Sequence, residues 1–203
     1  MSEAVSAPLP SSICVFCGAR FGIASGSREL AADLGELLAR EKMTLVYGGG
    51  GVGLMGVLAN AALKAGGQVV GVIPRFLLER EAGHPALTET VVVENMHERK
   101  LEMFDRCDAI VVLPGGLGTL EELLEMLTWS QLGIHDKPLA LLNVVGYWDA
   151  LVQLLDHAAR ERFVRPEYLA FLVTADTPGA LLDRLTSWNA PTLPRAWLTP
   201  AQT

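Results

Sequence analysis

The chain has 203 residues, of which 50% are hydrophobic and 19% charged, and its mean hydropathy is +0.32. That is enough for one domain with a sizeable core, and it excludes disorder as the main state. A net charge of −7 excludes a broad surface for nucleic acid or anionic lipid, and no apolar run reaches the ~18 residues of a membrane span. Three cysteines, an odd number, do not make a disulfide framework, so a reducing cytoplasm is the expected setting.

Residues 1–12 carry Glu3 and two prolines, without a basic start or a long apolar stretch, and read as a disordered tail rather than a secretory signal. Residues 13–16 form the first predicted strand and 27–41 the first helix. A strand at 45–47 runs through glycines into a helix at 52–65, which Gly66-Gly67 closes. A strand at 69–73 follows. Residues 74–90 have no period and are expected to form a loop or broken helix beside a site. Next come a strand at 91–93, a helix at 97–106, a strand at 109–113 and a helix at 119–132 that stops at Gly133. A strand at 139–143 and helices at 148–161 and 178–188 complete the pattern, and 189–203, with three prolines, reads as a surface tail. The strand runs are continuously apolar, as parallel strands buried on both faces are. Their alternation with helices predicts a single α/β domain over 13–188: a Rossmann-like, doubly wound, mainly parallel sheet flanked by helices. Ligands of such sheets lie beyond the carboxyl ends of the strands.

Two glycine turns stand there. The first, Gly48-Gly49-Gly50-Gly51, continues as Gly51-x-Gly53-x-x-Gly56 into a helix, the context of a dinucleotide fingerprint. The next strand ends in Pro74-Arg75 with no acid for a ribose, so three readings stand. They are a tight packing turn, a nucleotide-facing wall, and an NADP site with Arg75 on the 2′-phosphate. The second turn, Pro114-Gly115-Gly116-Leu117-Gly118-Thr119, has no lysine in the Walker position, and Thr119 can cap the helix or touch an anion. Glu121, Glu122 and Glu125 suit a helix start by charge alone. Glu122 stands out one turn past the cradle, on a helical face shared with Met126 and Trp129 rather than with Leu123 and Leu127. Arg99-Lys100 is a basic pair in an acidic chain, with arginine suited to phosphate. Cys14-x-x-Cys17 lies in a strand and reads as structural.

Pro114-Gly115-Gly116-x-Gly118-Thr119-x-x-Glu122 with Met96-His97-x-Arg99-Lys100 closely resembles the Lonely Guy family of cytokinin riboside 5′-monophosphate phosphoribohydrolases. Cys14-Val15-Phe16-Cys17-Gly18, Tyr47-Gly48-Gly49-Gly50 and Thr128-Trp129-x-Gln131-Leu132-Gly133 extend the match over 13–163. The resemblance implies hydrolysis of the N-glycosidic bond of an adenosine 5′-monophosphate, often N6-substituted, without metal or organic cofactor. It also implies a homodimer with sites near the interface. Arg99 and Glu122 match the family's catalytic pair. Lys100, Gly115, Gly116, Leu117, Gly118, Thr119, Leu120, Glu121 and Thr128 match its nucleotide-binding positions, as does Glu81, with Glu79 a competitor in the irregular segment. Met55, Met96 and Trp129 are candidates for an apolar pocket around the N6 substituent. Molybdenum-cofactor carriers, similar in fold and glycine loop, supply the alternative reading of a non-catalytic carrier. The older label for such sequences, lysine decarboxylase, has no lysine here in a context that binds pyridoxal phosphate.

Overall fold

The continuous apolar runs do become parallel strands. In a computed structural model, which describes residues 9–23, 26–79 and 83–191, they form β1 (Ser12–Phe16), β2 (Thr44–Tyr47), β3 (Val69–Pro74), β4 (Glu89–Val93), β5 (Ala109–Val112), β6 (Leu139–Leu142) and β7 (Leu172–Ala175). The sheet order is β4-β3-β2-β1-β5-β6-β7, and every neighbouring pair is parallel. Between them lie α1 (Ser27–Arg40), α2 (Gly53–Lys64), α3 (Arg75–Leu78), α4 (Met96–Asp105), α5 (Leu117–Gln131), α6 (Asp149–Arg160), α7 (Pro166–Leu169) and α8 (Pro178–Thr186).

Successive strand residues feed opposite layers, as the two-residue period of a strand requires. Ile13 and Val15 of β1, with Ala109 and Val111 of β5, pack under α1, α2 and α8 against Leu34, Leu58 and Leu181. Cys14, Phe16, Ile110 and Val112 point the other way, to Met103 of α4, Leu123 and Met126 of α5, Trp148 and Phe171. Burial on both sides explains why the central strands lack polar alternation.

The chain builds β1 to β4 outward in one direction and then returns to place β5 on the other side of β1. The order therefore reverses between β1 and β5. A crevice opens beyond their carboxyl ends, where α/β sheets bind ligands.

Four features differ from expectation or add to it. The short edge strand β7 and the single-turn α7 escape the sequence pattern, because Leu172–Ala175 is only four residues long and mostly half-buried. The edge strand β4 starts at Glu89, ahead of its apolar run, with exposed residues interleaved. Within 74–90 the chain forms α3, and Gly83 pairs antiparallel with Gly50. Ser11 and Ser12 are anchored by four hydrogen bonds to the Asp108 carboxylate, whose pKa lies below its ordinary value because these bonds outweigh burial. Most of both expected tails, 1–8 and 192–203, lies outside the described residues. Among the described residues no helix is long and apolar enough to cross a membrane.

Candidate active site

The two loops at the point of reversal touch. Gly18, after β1, donates its N–H to the Pro114 carbonyl after β5 at 3.0 Å. Helix α5 then starts at Leu117 with Gly116 as its N-cap, and no side chain caps it. The Leu120 N–H bonds back to the Gly116 carbonyl, so the earlier N–H groups have no intrahelical acceptor and point a partial positive charge outward. A cavity of about 640 Å³ opens at this end. Gly115, Gly116, Gly118 and Thr119 form one wall; Arg99 and Glu122 line it as well.

Arg99 arrives through a well-capped helix start. The Asn95 side chain accepts from the Glu98 N–H at 2.9 Å, and the Glu98 carboxylate accepts from the Glu94 N–H at 2.9 Å. The Asn95 side-chain amide also donates to the Glu98 carboxylate at 2.8 Å, and this reciprocal pair sets the first turn of α4. The buried Arg99 then reaches across the strand ends, donating from Nε to the Val72 carbonyl at 3.2 Å and from Nη2 to the Gly48 carbonyl at 2.7 Å. A Cβ at residue 48 would displace the guanidinium from this position, so glycine there lets Arg99 reach the Gly48 carbonyl.

The rest of the first glycine turn is also occupied internally. The Gly49 carbonyl accepts from the His84 N–H at 3.0 Å, and the Tyr47 hydroxyl donates to the Gly50 carbonyl at 3.3 Å. At the start of α2, the Leu54 N–H donates to the Gly18 carbonyl at 3.0 Å. The turn therefore packs strand, loop and Arg99 together, and one N–H of the α2 start is already taken by the Gly18 carbonyl. Arg75 is exposed and lies 3.5 Å from Glu94. The second turn is the open one.

Glu122 is buried one turn into α5, with no hydrogen-bond partner among the described residues, and it faces the cavity. Burial pushes its carboxyl up to about 7; the Arg99 charge holds it down in part, while Glu121 adds to the rise. Cys17, also at the cavity, has its thiol pushed far up by burial and then by Glu122. Both shifts have burial as their largest cause. Glu122 does not stand apart from the packing stripe of α5, since Leu123, Met126 and Leu127 are buried beside it. Met55 and Met96 line the cavity, together with Met103; Trp129 instead packs edge-on against Phe104.

The remaining candidates divide. Lys100 is buried between Glu121 at 2.5 Å and Glu125 at 2.7 Å, tying α4 to α5. Burial alone would lower its pKa, but the two carboxylates outweigh it and hold the ammonium above its ordinary value. Glu121 also borders the cavity, whereas Lys100, Leu117, Leu120 and Thr128 do not. The Thr128 hydroxyl donates to the Leu124 carbonyl at 2.7 Å on an exposed face. Glu81 lies outside the described residues. Two cavity-lining side chains, Arg20 and Tyr147, are not singled out by the sequence. Arg20 has a legible signal, since it lies in the loop that leaves the carboxyl end of β1, four residues after Phe16; Tyr147 has none.

None of the four lysines lines the cavity, so the residues present do not fit the Schiff base of pyridoxal phosphate. Among the described residues no group of three or more His, Cys, Asp or Glu is placed to hold a metal ion.

A family model described as possible lysine decarboxylase matches residues 55–185. A probable cytokinin riboside 5′-monophosphate phosphoribohydrolase of Oryza sativa subsp. japonica is 46% identical over 177 residues, 87% of this chain and 71% of that protein. A cytokinin riboside 5′-monophosphate phosphoribohydrolase of Arabidopsis thaliana is 47% identical over 173 residues, covering 85% and 80% respectively. Among solved structures, the molybdenum cofactor binding protein of Rippkaea orientalis superposes with a TM-score of 0.67 at 26% identity, over 87% of this chain and 95% of that one. The carrier of the same cofactor from Chlamydomonas reinhardtii, at 21% identity and a TM-score of 0.64 over 86% and 96% of the two chains, shares the fold. With a family model matched over more than half its length and curated relatives this similar, the chain belongs to the Lonely Guy family of cytokinin riboside 5′-monophosphate phosphoribohydrolases.

Proposed function

We propose that this protein hydrolyses the N-glycosidic bond of adenosine 5′-monophosphates, N6-substituted ones included, releasing the free base and ribose 5-phosphate. One observation carries the reading: Glu122, a buried carboxylate with no hydrogen-bond partner among the described residues, shares a cavity with Arg99 and with the uncapped start of α5. The helix start and the Gly115–Gly116 turn receive the 5′-phosphate, with Arg20 as a further cation at the cavity. Binding energy from the phosphate then holds the ribose beside Glu122. Breaking C1′–N9 builds positive charge on the sugar. The Glu122 carboxylate stabilises that charge and orients the water that adds to C1′. Arg99 completes the pair against the nucleotide. Its guanidinium is fixed by two main-chain carbonyls, so little rearrangement precedes reaction. Met55, Met96 and Met103 offer apolar surface to an N6 substituent.

The test is incubation with AMP and with N6-isopentenyl-AMP, followed by quantification of base and ribose 5-phosphate. Equimolar release of both products is expected. Nucleotide recovered intact from both incubations would overturn the reading and favour a carrier, which has no use for a buried catalytic carboxylate.

The reading includes a homodimer. Leu117, Leu124 and Leu132 of α5 and its C-terminus, with Leu101 of α4, are large exposed apolar side chains. Leu117, Glu121, Leu124 and Thr128 share one helical face by their spacing. A second subunit on that face comes next to the cavity mouth through Glu121. Leu124→Asp is expected to shift the sedimentation coefficient to that of a monomer; an unchanged value would place the interface elsewhere. Three free, buried cysteines suit a reducing compartment, and the cytoplasm is the compartment proposed.

A further inference from the structure

We infer that Tyr147 is a positioning residue for the phosphate-binding turn: its hydroxyl holds the Gly115 carbonyl and thereby aims the neighbouring N–H group. The inference rests on the proposed seating of phosphate at the start of α5.

The Tyr147 hydroxyl donates to the Gly115 carbonyl at 2.5 Å, across 32 positions of sequence. The chain reaches that contact by an unusual route. Val145 has φ 50° and ψ 34°, and Gly146 follows with φ 70°. Glycine adopts positive φ freely, but a β-branched valine is among the residues least suited to it, so the strain lies at Val145. Packing of the valine does not explain it, because Val145 is 78% exposed.

What holds the conformation lies on either side. The Asn143 side chain accepts from the Trp148 N–H at 2.8 Å and donates to the Asp149 carboxylate at 2.8 Å. Trp148 is fully buried, and the Tyr147 ring stands edge-on to it with centroids 4.8 Å apart. The strained Val145 and Gly146 thus sit between two anchors, next to the tyrosine whose hydroxyl meets one carbonyl of the glycine turn.

That carbonyl controls a donor. In a trans peptide the N–H of residue 116 points opposite to the C=O of residue 115. Holding the Gly115 carbonyl therefore sets the direction of the Gly116 N–H. In the same way the Gly18 N–H, bonded to the Pro114 carbonyl at 3.0 Å, sets the direction of the Gly115 N–H. The Thr119 side chain packs under Gly115 so closely that a Cβ there would collide with it. Neither glycine N–H finds an acceptor among the described residues. Two consecutive donors are thus fixed in direction and left for a ligand. Glycine on both sides of the 115–116 peptide gives it rotational freedom unless a partner holds it, and Tyr147 is that partner.

The test is Tyr147→Phe, which keeps the ring on Trp148 and removes only the hydroxyl. Ribose 5-phosphate binding, measured by calorimetry, is expected to weaken about tenfold. KM for AMP is expected to rise by a similar factor, with kcat within about twofold of the wild type, because Arg99 and Glu122 are untouched. Unchanged ribose 5-phosphate affinity would overturn the inference. So would a fall in kcat with KM unchanged, which would mark a role in the chemistry or general damage. Should the wild-type protein bind ribose 5-phosphate but cleave no AMP, the hydrolase reading fails while the calorimetric comparison still decides the role of Tyr147.

Discussion

Glu122→Gln is expected to lower kcat for AMP by about a thousandfold while making the folded protein more stable above neutral pH. The first effect follows from removing the negative charge that opposes the developing sugar cation and the group that orients water. The second follows from proton linkage. The folded carboxyl keeps its proton up to about pH 7, against 4.5 for an ordinary glutamate. Between those values the folded state binds more protons than the unfolded state, so stability falls as pH rises through that window. The accumulated loss is on the order of 3 kcal/mol above pH 7. Glutamine does not titrate and escapes it. Urea unfolding at pH 5 and pH 8 should show the advantage of the variant over the wild type growing across the interval. A constant difference, or retained turnover, would count against Glu122 as the buried catalytic carboxylate. In the wild type, kcat/KM should climb through about pH 7 as the carboxylate forms.

Arg99→Met has consequences at three places. Turnover should drop by about a hundredfold or more, since the charge facing the nucleotide is gone. The buried Gly48 and Val72 carbonyls lose their donors, each at about 1–3 kcal/mol, so the urea midpoint should fall. The Arg99 charge also holds the Glu122 carboxyl down. Its removal therefore moves the rising limb of the pH profile of residual activity to higher pH. Arg99→Lys should restore part of that electrostatic shift but little of the turnover, because an ammonium cannot bridge two carbonyls and still face the cavity as a planar fork does. A pH limb that does not move in Arg99→Met would mean that the two side chains act independently.

The two variants probe what position in sequence does not reveal. Arg99 and Lys100 are adjacent and read as one basic pair, yet successive helical residues diverge by about 100°. One goes to the strand ends and the cavity; the other is buried between Glu121 and Glu125. Likewise, the two glycine turns look equivalent as strand-to-helix junctions. The first is filled by Arg99, His84 and Gly83, contributed from 33 to 51 residues away. Which turn stays open is decided by what folds against each.

By itself the sequence determined what depends on neighbours along the chain. Continuous apolar runs announced buried parallel strands, glycines marked helix ends, and Pro114–Glu122 announced a glycine turn opening a helix with a carboxylate near its start. Those signals are local because hydrogen bonding within a helix and side-chain period along a strand are local. Tertiary structure alone decided the reversal of strand order between β1 and β5, which makes the crevice. It also decided the rise of the Glu122 pKa to about 7, which comes from burial. Tyr147 belongs with these, because the carbonyl it holds lies 32 positions away in sequence and across the fold.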